Sequence, residues 1–133
     1  MKKREIEFAN IDHERFCRAG KPEAVFAEFK EPEEVVEIAR EYVNRCGEVL
    51  VTRANEEQIK SILSEFRGFS VRVNRKARTV VIRRKENEKQ GGKVAVLTAG
   101  TSDIPVAEEA AETAEFLGME VMKFYDVGVA GIH

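Results

Sequence analysis

The stretch Val94-Ala95-Val96-Leu97-Thr98-Ala99-Gly100-Thr101-Ser102-Asp103-Ile104-Pro105 joins an apolar run to a turn of short polar side chains. A continuous apolar run predicts a strand buried on both faces of a parallel sheet. The turn then leads into apolar positions at helical spacing, namely Ala107, Ala110, Ala111, Ala114 and Leu117. Glu120-Val121-Met122-Lys123-Phe124-Tyr125 predicts the next strand. The stretch therefore predicts a βαβ unit in an α/β protein.

The turn itself combines a glycine with three short oxygen-bearing side chains. Gly100 permits backbone angles that other residues resist, so we expect a sharp bend off the strand. Thr101, Ser102 and Asp103 stand where side chains cap the free N–H groups of a helix or bind a ligand. Those N–H groups and the helix dipole favour an anion. Two interpretations stay open: Ser102 or Asp103 is only an N-cap, or the turn binds a ligand.

A second cluster, Asp126-Val127-Gly128-Val129-Ala130-Gly131-Ile132-His133, follows the second strand. Because parallel strands end at the same edge of a sheet, we expect this cluster to meet the first turn, where ligands of open α/β sheets sit. Gly128 and Gly131 would allow a ligand to approach the backbone closely. An imidazole has a pKa of about 6.5 and suits a proton shuttle, although a histidine in the position of His133 is more often a bystander.

The preceding part of the chain has a different pattern. It predicts strands at 24–29 and 49–52, helices from Pro32 to Gly47 and from Asn55 to Gly68, and a hairpin of strands 71–73 and 79–82. Asn55 and Gln58 look like a capping pair. The predicted buried stripes of the two helices are Val35, Ala39, Tyr42, Val43 and Cys46, and Ile59, Ile62, Leu63 and Phe66.

The charge distribution predicts two structural units. Residues 1–92 carry 20 basic and 17 acidic side chains, whereas residues 93–133 carry 2 and 7. We therefore expect an α/β domain at residues 1–83, a charged linker at 84–92, and a second domain at 93–133. Cys17 and Cys46 form no CxxC pair, and the chain has no apolar run that could span a bilayer. These features predict a cytoplasmic protein with reduced thiols, in which Cys46 lies on the buried apolar face of its helix.

The two turn motifs resemble those of a known enzyme family. Gly100-Thr101-Ser102-Asp103 and Ala130-Gly131-Ile132-His133 are similar to the nucleotide-binding and histidine motifs of PurE-type aminoimidazole-ribonucleotide carboxylase domains. The longer stretches 99–110 and 126–133 are more similar to the LarB-type carboxylases of nickel-pincer-nucleotide biosynthesis. So are Asp12-x-x-Arg15-x-x-Arg18-x-Gly20-x-Pro22-Glu23 and Thr52-Arg53-Ala54. This resemblance implies a flavodoxin-like parallel sheet, of which residues 93–133 form the incomplete first βαβ unit.

The resemblance also implies a reaction. LarB-type enzymes carboxylate the pyridinium ring of nicotinic acid adenine dinucleotide at C5 with carbon dioxide and hydrolyse its phosphoanhydride, with Mg2+ implicated and no tightly bound cofactor. It assigns substrate binding to Gly100, Thr101, Ser102, Asp103, Gly128 and Gly131 and a catalytic role to His133. The family's cysteine attacks the ring, but Cys17 and Cys46 match no catalytic position. We therefore expect the 133-residue chain alone to be inactive, and the full-length enzyme to be a homo-oligomer.

Three arginines and one basic segment leave alternatives open. Arg15, Arg18 and Arg53 fall on the leading motifs and are either phosphate contacts or partners of surface glutamates. A purine-pathway carboxylase or mutase is an alternative, although its chains lack such a leader. A further alternative is an RNA-binding or partner-binding module that uses the basic residues 67–89, with Arg72 and Arg75 on the solvent side of the hairpin. No interleaved aromatic residues support it, so we expect no nucleic acid as a partner. The lack of a bilayer-spanning apolar run predicts that no membrane is a partner either.

Overall fold

The computed structural model describes residues 5–6, 9–10, 24–84 and 91–128. The first elements are the strands β1 (Glu5–Ile6), β2 (Ala9–Asn10) and β3 (Val25–Phe26). They are followed by α1 (Pro32–Cys46), β4 (Glu48–Thr52), α2 (Glu56–Glu65), β5 (Ser70–Asn74) and β6 (Thr79–Arg83). The last elements are β7 (Lys93–Leu97), α3 (Ile104–Phe116) and β8 (Glu120–Phe124). The predicted α/β class is confirmed, whereas the antiparallel pair β1–β2 was not predicted.

A four-stranded sheet in the order β3-β4-β6-β5 forms the first unit. β3 is parallel to β4, and the other neighbours are antiparallel. The helices α1 and α2 pack on one face of this sheet. Their shared core is apolar and almost completely buried, and it includes Val35, Ala39, Val43, Val49, Val51, Ile59, Ile62, Phe66, Val80 and Ile82. The strand and helix order matches the prediction from the sequence.

Local signals set the ends of α1 and α2. Pro32 begins α1, and Gly47 ends it with a φ of 83°, a conformation that glycine adopts at little cost. At the start of α2, the Gln58 side chain accepts a hydrogen bond from the Asn55 N–H at 2.8 Å, and Asn55 accepts one from the Gln58 N–H at 2.8 Å. The predicted capping pair is confirmed. Gln58 also donates from its amide nitrogen to the carbonyl oxygens of Ala27 and Lys30, which ties α2 to the segment between β3 and α1.

Several predictions about side-chain burial were wrong. Leu63 is 43% exposed, because only the other three positions of the predicted stripe, Ile59, Ile62 and Phe66, face the sheet. Tyr42 and Cys46 are half-buried, whereas Ile38 is buried.

Cys46 is disulfide-bonded, which contradicts the prediction of reduced thiols. Cys17, the other cysteine of the sequence, lies outside the described residues.

A membrane-spanning segment was not predicted for this chain. Within the described ranges, no helix has both the length and the apolar character that crossing a membrane requires.

The second sheet consists of the parallel strands β7 and β8, with α3 between them in sequence. Val94, Val96 and Val121 are half-buried on the face towards α3. On the other face, cross-strand neighbours lie open to solvent: Leu97 is 61% exposed and its partner Phe124 is 46% exposed. The prediction that this strand is buried on both faces was therefore wrong, because α3 covers one face of the sheet and no described element covers the other.

The helix α3 also covers the second face of the first sheet. Phe116 is 4% exposed and packs between α3 and the side chains of Leu50 and Val81, which point away from α1 and α2. The Arg83 guanidinium lies over the Phe116 ring at 5.3 Å and donates a hydrogen bond to the Phe116 carbonyl oxygen. One helix thus contacts strands of both sheets.

Opposite charges face each other across this contact. Arg72 on β5 binds Glu112 at 2.8 Å and Glu115 at 2.9 Å, and the Asn74 amide donates to Glu112 at 3.1 Å. The expectation that Arg72 lies on the solvent side of the hairpin was wrong, because that side is the face that α3 covers. Arg75 is exposed and forms an ion pair with Glu56. The basic first part of the chain and the acidic second part therefore contact each other at α3.

The predicted linker, residues 84–92, is described only at Arg84, Gly91 and Gly92. Residues 85–90 lie outside the described residues. The division into domains at 1–83 and 93–133 stays a prediction.

Candidate nucleotide site

The two polar turns meet at the carboxyl edge of the second sheet, as the sequence predicted. Thr98, directly after β7, is 5% exposed and donates its N–H to the Phe124 carbonyl oxygen at 3.0 Å. Its hydroxyl oxygen accepts a hydrogen bond from the Asp126 N–H at 3.0 Å. Asp126 adopts a φ of 57°, in the left-handed region that aspartate tolerates better than most residues. The buried threonine thus holds the second turn against the first.

Gly128 continues this pairing beyond the ends of the strands. The Val127 N–H donates to the Thr98 carbonyl oxygen, and the Gly128 N–H donates to the Ala99 carbonyl oxygen, both at 2.9 Å. A Cβ atom at Gly128 would lie 2.6 Å from that oxygen, closer than real Cβ contacts occur. The glycine is therefore required by the contact between the two turns, whether or not a ligand is bound.

Gly100 has a different role from the one its residue type predicted. Its backbone does not adopt a positive φ, and a Cβ atom there would meet no other atom within 4 Å. The expected dependence of the bend on glycine angles was wrong, because the chain turns here through ordinary conformations. What Gly100 contributes is open space at the sheet edge.

The polar side chains of the first turn remain available for a ligand. Thr101, Ser102 and Asp103 are exposed, and their side chains form no hydrogen bond to any residue that the structure describes. Asp103 occupies the N-cap position of α3, but its side chain makes no capping hydrogen bond. Pro105 lies in the first turn, where the missing N–H costs nothing. Of the two interpretations of this turn, the one in which Ser102 or Asp103 caps the helix is not observed.

The remaining candidate site residues lie outside the described residues. These are Gly131 and His133 of the second cluster and Arg15 and Arg18 of the leading motif. Their assignments stay predictions.

A buried carboxylate on α3 contacts the residues that lead into the second turn, and the sequence analysis missed it. Glu108 on α3 is 9% exposed. It accepts hydrogen bonds from the Lys123 ammonium at 2.7 Å and from the Tyr125 hydroxyl at 3.2 Å. The hydrogen bond to Glu108 raises the pKa of Lys123. Burial, followed by the Glu108 charge, raises the pKa of Tyr125. Tyr125 directly precedes Asp126, so Glu108 connects the start of α3 to the second turn.

We expect Glu108→Gln to lower the pKa of the Tyr125 phenol. The neutral amide removes the negative charge that opposes phenolate formation, but the burial that contributes most to the shift remains. The pKa should therefore fall and stay above that of a free tyrosine. The measurement is a pH titration of absorbance at about 295 nm in a Tyr42→Phe background, which leaves Tyr125 as the remaining tyrosine. An unchanged titration midpoint would show that Glu108 does not face the phenol.

Arg53 lies at the junction of the two sheets. It directly follows β4, adopts a φ of 57°, and binds Glu109 on α3 at 2.9 Å. The pair is partly exposed, and such pairs contribute little to stability. Arg53 therefore has a glutamate partner, and its predicted contact with phosphate stays a prediction.

The described residues offer no metal centre. Across residues 24–84 and 91–128, no group of three or more His, Cys, Asp or Glu side chains is arranged to hold a metal ion. Mg2+ is usually held by one or two carboxylates together with substrate phosphates, so its involvement stays a prediction.

Comparisons with known proteins are consistent with this architecture. Residues 3–85 match the family model described as the LarB/PurE-like N-terminal domain. The uncharacterized protein MJ0165 of Methanocaldococcus jannaschii is 41% identical over 133 aligned positions, which cover 96% of this chain and 51% of that protein. The chain thus spans about half the length of this relative, and the similarity continues beyond the first sheet into the second.

Proposed function

The chain belongs to the LarB/PurE-like N-terminal domain family, and from this premise we propose that it supplies nucleotide-binding elements of a LarB-type carboxylase and hydrolase. The proposed substrate is nicotinic acid adenine dinucleotide, and carbon dioxide or bicarbonate is the proposed co-substrate. Carboxylation at C5 of the pyridinium ring and hydrolysis of the phosphoanhydride would yield pyridinium-3,5-biscarboxylic acid mononucleotide and AMP.

The observation that carries this proposal is the pair of joined turns at the carboxyl edge of β7 and β8. The hydrogen bonds from Val127 and Gly128 fix the second turn against the first. The polar side chains of the first turn are exposed and are not used as caps. A helix start carries N–H groups without partners inside the helix, and these groups favour an anion. A nucleotide phosphate is an anion of suitable size and charge.

The side chains of the first turn divide naturally between the parts of a nucleotide. The hydroxyls of Thr101 and Ser102 can donate hydrogen bonds to phosphate oxygens. The Asp103 carboxylate only accepts hydrogen bonds and repels phosphate, so we assign it to the ribose hydroxyls. The involvement of Mg2+ stays a prediction, and no step of this proposal passes through it.

We assign binding and not ring chemistry to the described residues. Attack on the pyridinium ring requires a thiolate. Cys46 is disulfide-bonded and offers none. The ring chemistry and the homo-oligomeric assembly of the whole enzyme are further proposals that follow from the family. The exposed apolar face with Leu97 and Phe124 supports a larger assembled sheet.

The test is an NMR titration of the 133-residue chain with nicotinic acid adenine dinucleotide. We expect the largest amide shifts at residues 100–103 and 126–128, and a several-fold loss of affinity in Ser102→Ala and Asp103→Asn, as expected when a polar contact with a ligand is removed. Thr113→Ala is the matched control. This residue lies on the same helix, and its hydroxyl is bonded to the Glu109 carbonyl oxygen at 2.8 Å.

Three outcomes would contradict the proposal. The first is the absence of shifts up to about 10 mM dinucleotide, which corresponds to negligible affinity. The second is tighter binding of aminoimidazole ribonucleotide at the same turns, which favours the purine-pathway alternative. The third is a salt-dependent response of the basic hairpin to RNA with none at the turns.

A further inference from the structure

A small cleft lies between the turns of the first sheet and the first residues of α3. Its volume is about 100 Å3, and it is lined by Arg53, Lys76, Ala77, Arg78, Pro105, Val106 and Glu109. We propose that this basic cleft is a phosphate site, in which the anion replaces the Glu109 carboxylate as the partner of Arg53. The proposal rests on the proposed function, because it identifies the part of a nucleotide that the chain holds away from the joined turns.

The charge of the basic cleft favours an anion. Three cationic side chains and one carboxylate line it, which leaves two uncompensated positive charges. The Lys76 side chain is exposed and has no hydrogen bond or ion pair with any described residue. Pro105 and Val106 belong to the first turn of α3, so the cleft lies beside the start of that helix.

The backbone around the basic cleft is already organised. The Ala54 N–H donates to the Arg78 carbonyl oxygen at 2.9 Å, which joins the segment after β4 to the β5–β6 turn. Arg78 donates in return to the Arg53 carbonyl oxygen at 3.2 Å. The turn is held internally by a hydrogen bond from the Ala77 N–H to the Asn74 side chain at 3.0 Å. A ligand therefore meets cations whose main chain need not be ordered on binding.

Glu109 occupies the position that a phosphate oxygen would take. Its Oε2 accepts the hydrogen bond from Arg53 Nε at 2.9 Å, a typical length for a charge-assisted bond. The Arg53 side chain is 42% exposed, so water already screens the pair and its loss costs little. A phosphate carries more charge and more acceptor oxygens than a carboxylate, and it matches the planar guanidinium at least as well. The anion is therefore expected to displace the glutamate.

The size of the basic cleft limits what it can hold. About 100 Å3 of the basic cleft is open to ligand atoms, well below the range of about 300 to about 1,000 Å3 found for small-molecule pockets. It suits a phosphate or diphosphate group and not a complete dinucleotide. The displacement of Glu109 would also remove one of the ion pairs between α3 and the first sheet. Phosphate binding would therefore weaken the contact between α3 and that sheet.

The experiment is a calorimetric titration of the 133-residue chain with inorganic pyrophosphate. We expect Arg53→Ala to weaken binding about tenfold, as the loss of a charge-assisted hydrogen bond does. Glu109→Gln should strengthen binding, because it removes the competing carboxylate. Arg75→Ala is the matched control, since Arg75 lies in the same turn but is paired with Glu56 and does not line the cleft. Its affinity should stay unchanged.

Equal losses in Arg53→Ala and Arg75→Ala, weaker binding in Glu109→Gln, or no binding up to about 10 mM would overturn the cleft proposal. An NMR titration with the dinucleotide separates this failure from that of the proposed function. Shifts at residues 100–103 without shifts at residues 53 and 76–78 reject the cleft alone. Pyrophosphate shifts at the cleft without dinucleotide shifts at the turns reject the proposed function alone.

Discussion

Replacing Phe116 by alanine is expected to lower the free energy of unfolding by about 3 kcal/mol, the lower end of the cost for removing a buried phenylalanine. Phe116 is 4% exposed and is the apolar side chain through which α3 packs on Leu50 and Val81. Its loss would leave a cavity at the contact between the two sheets and remove the ring beneath Arg83. Denaturant unfolding followed by circular dichroism measures the change, and hydrogen exchange locates it.

The position of the expected effect is as informative as its size. Amides of α3 should exchange faster in the variant, whereas the core between α1, α2 and the first sheet should keep its protection. Val106→Ala is the control, because Val106 lies on the same helix and is 65% exposed. It should change stability by less than about 0.5 kcal/mol. If Phe116→Ala behaves like this control, α3 does not pack on the first sheet in solution.

Replacing Gly128 by alanine is expected to separate the two turns and to abolish nucleotide binding by the chain. The added methyl group would lie 2.6 Å from the Ala99 carbonyl oxygen, a rigid main-chain atom that cannot give way cheaply. Overpacking of this kind costs about 1–3 kcal/mol. The Gly128 N–H would then lose its bond to the Ala99 oxygen. NMR hydrogen exchange at residue 128 and a dinucleotide titration measure the two effects.

Gly100→Ala provides the matched comparison at the same edge of the sheet. A Cβ atom there meets nothing within 4 Å, and the backbone angle suits any residue. The unbound chain should therefore tolerate this substitution, with normal exchange at residue 128. Similar disruption by both substitutions would mean that the turns do not approach each other as described.

The features that the sequence predicted correctly are mainly those decided by near neighbours. Asn55 and Gln58 are three positions apart, so their residue types suffice to predict the reciprocal capping. Gly47 predicted the end of α1 because a left-handed residue follows many helices. The meeting of the two turns was predictable as well, because parallel strands joined by a helix present their carboxyl ends at the same edge.

Burial on α3 was not predictable in this way. Glu108 and Glu112 are polar residues in an alanine-rich pattern, and both are buried. Glu108 binds Lys123 on β8, 15 positions away, and Glu112 binds Arg72 on β5, 40 positions away. Periodicity within a helix shows which residues share a face, but it does not show that a second sheet supplies cations to that face. The opposite charge balances of the two parts of the chain were the available signal.

The glycines illustrate the same distinction within the candidate site. Both Gly100 and Gly128 follow strands, and the sequence analysis assigned a sharp bend to Gly100 and close approach of a ligand to Gly128. The difference between them arises from the Ala99 carbonyl oxygen, which stands against one and not the other. The distance between two turns depends on how both strands pair, and that information is not local.

The position of α3 between two sheets also has a consequence for how this chain can change over evolutionary time. A residue on α3 must satisfy both surfaces, so a replacement that suits one is constrained by the other. The charges at Arg72 and Glu112 are expected to covary among related sequences, because a reversal at one position alone would place like charges 2.8 Å apart. The two sheets are therefore expected to change together at the positions that face α3.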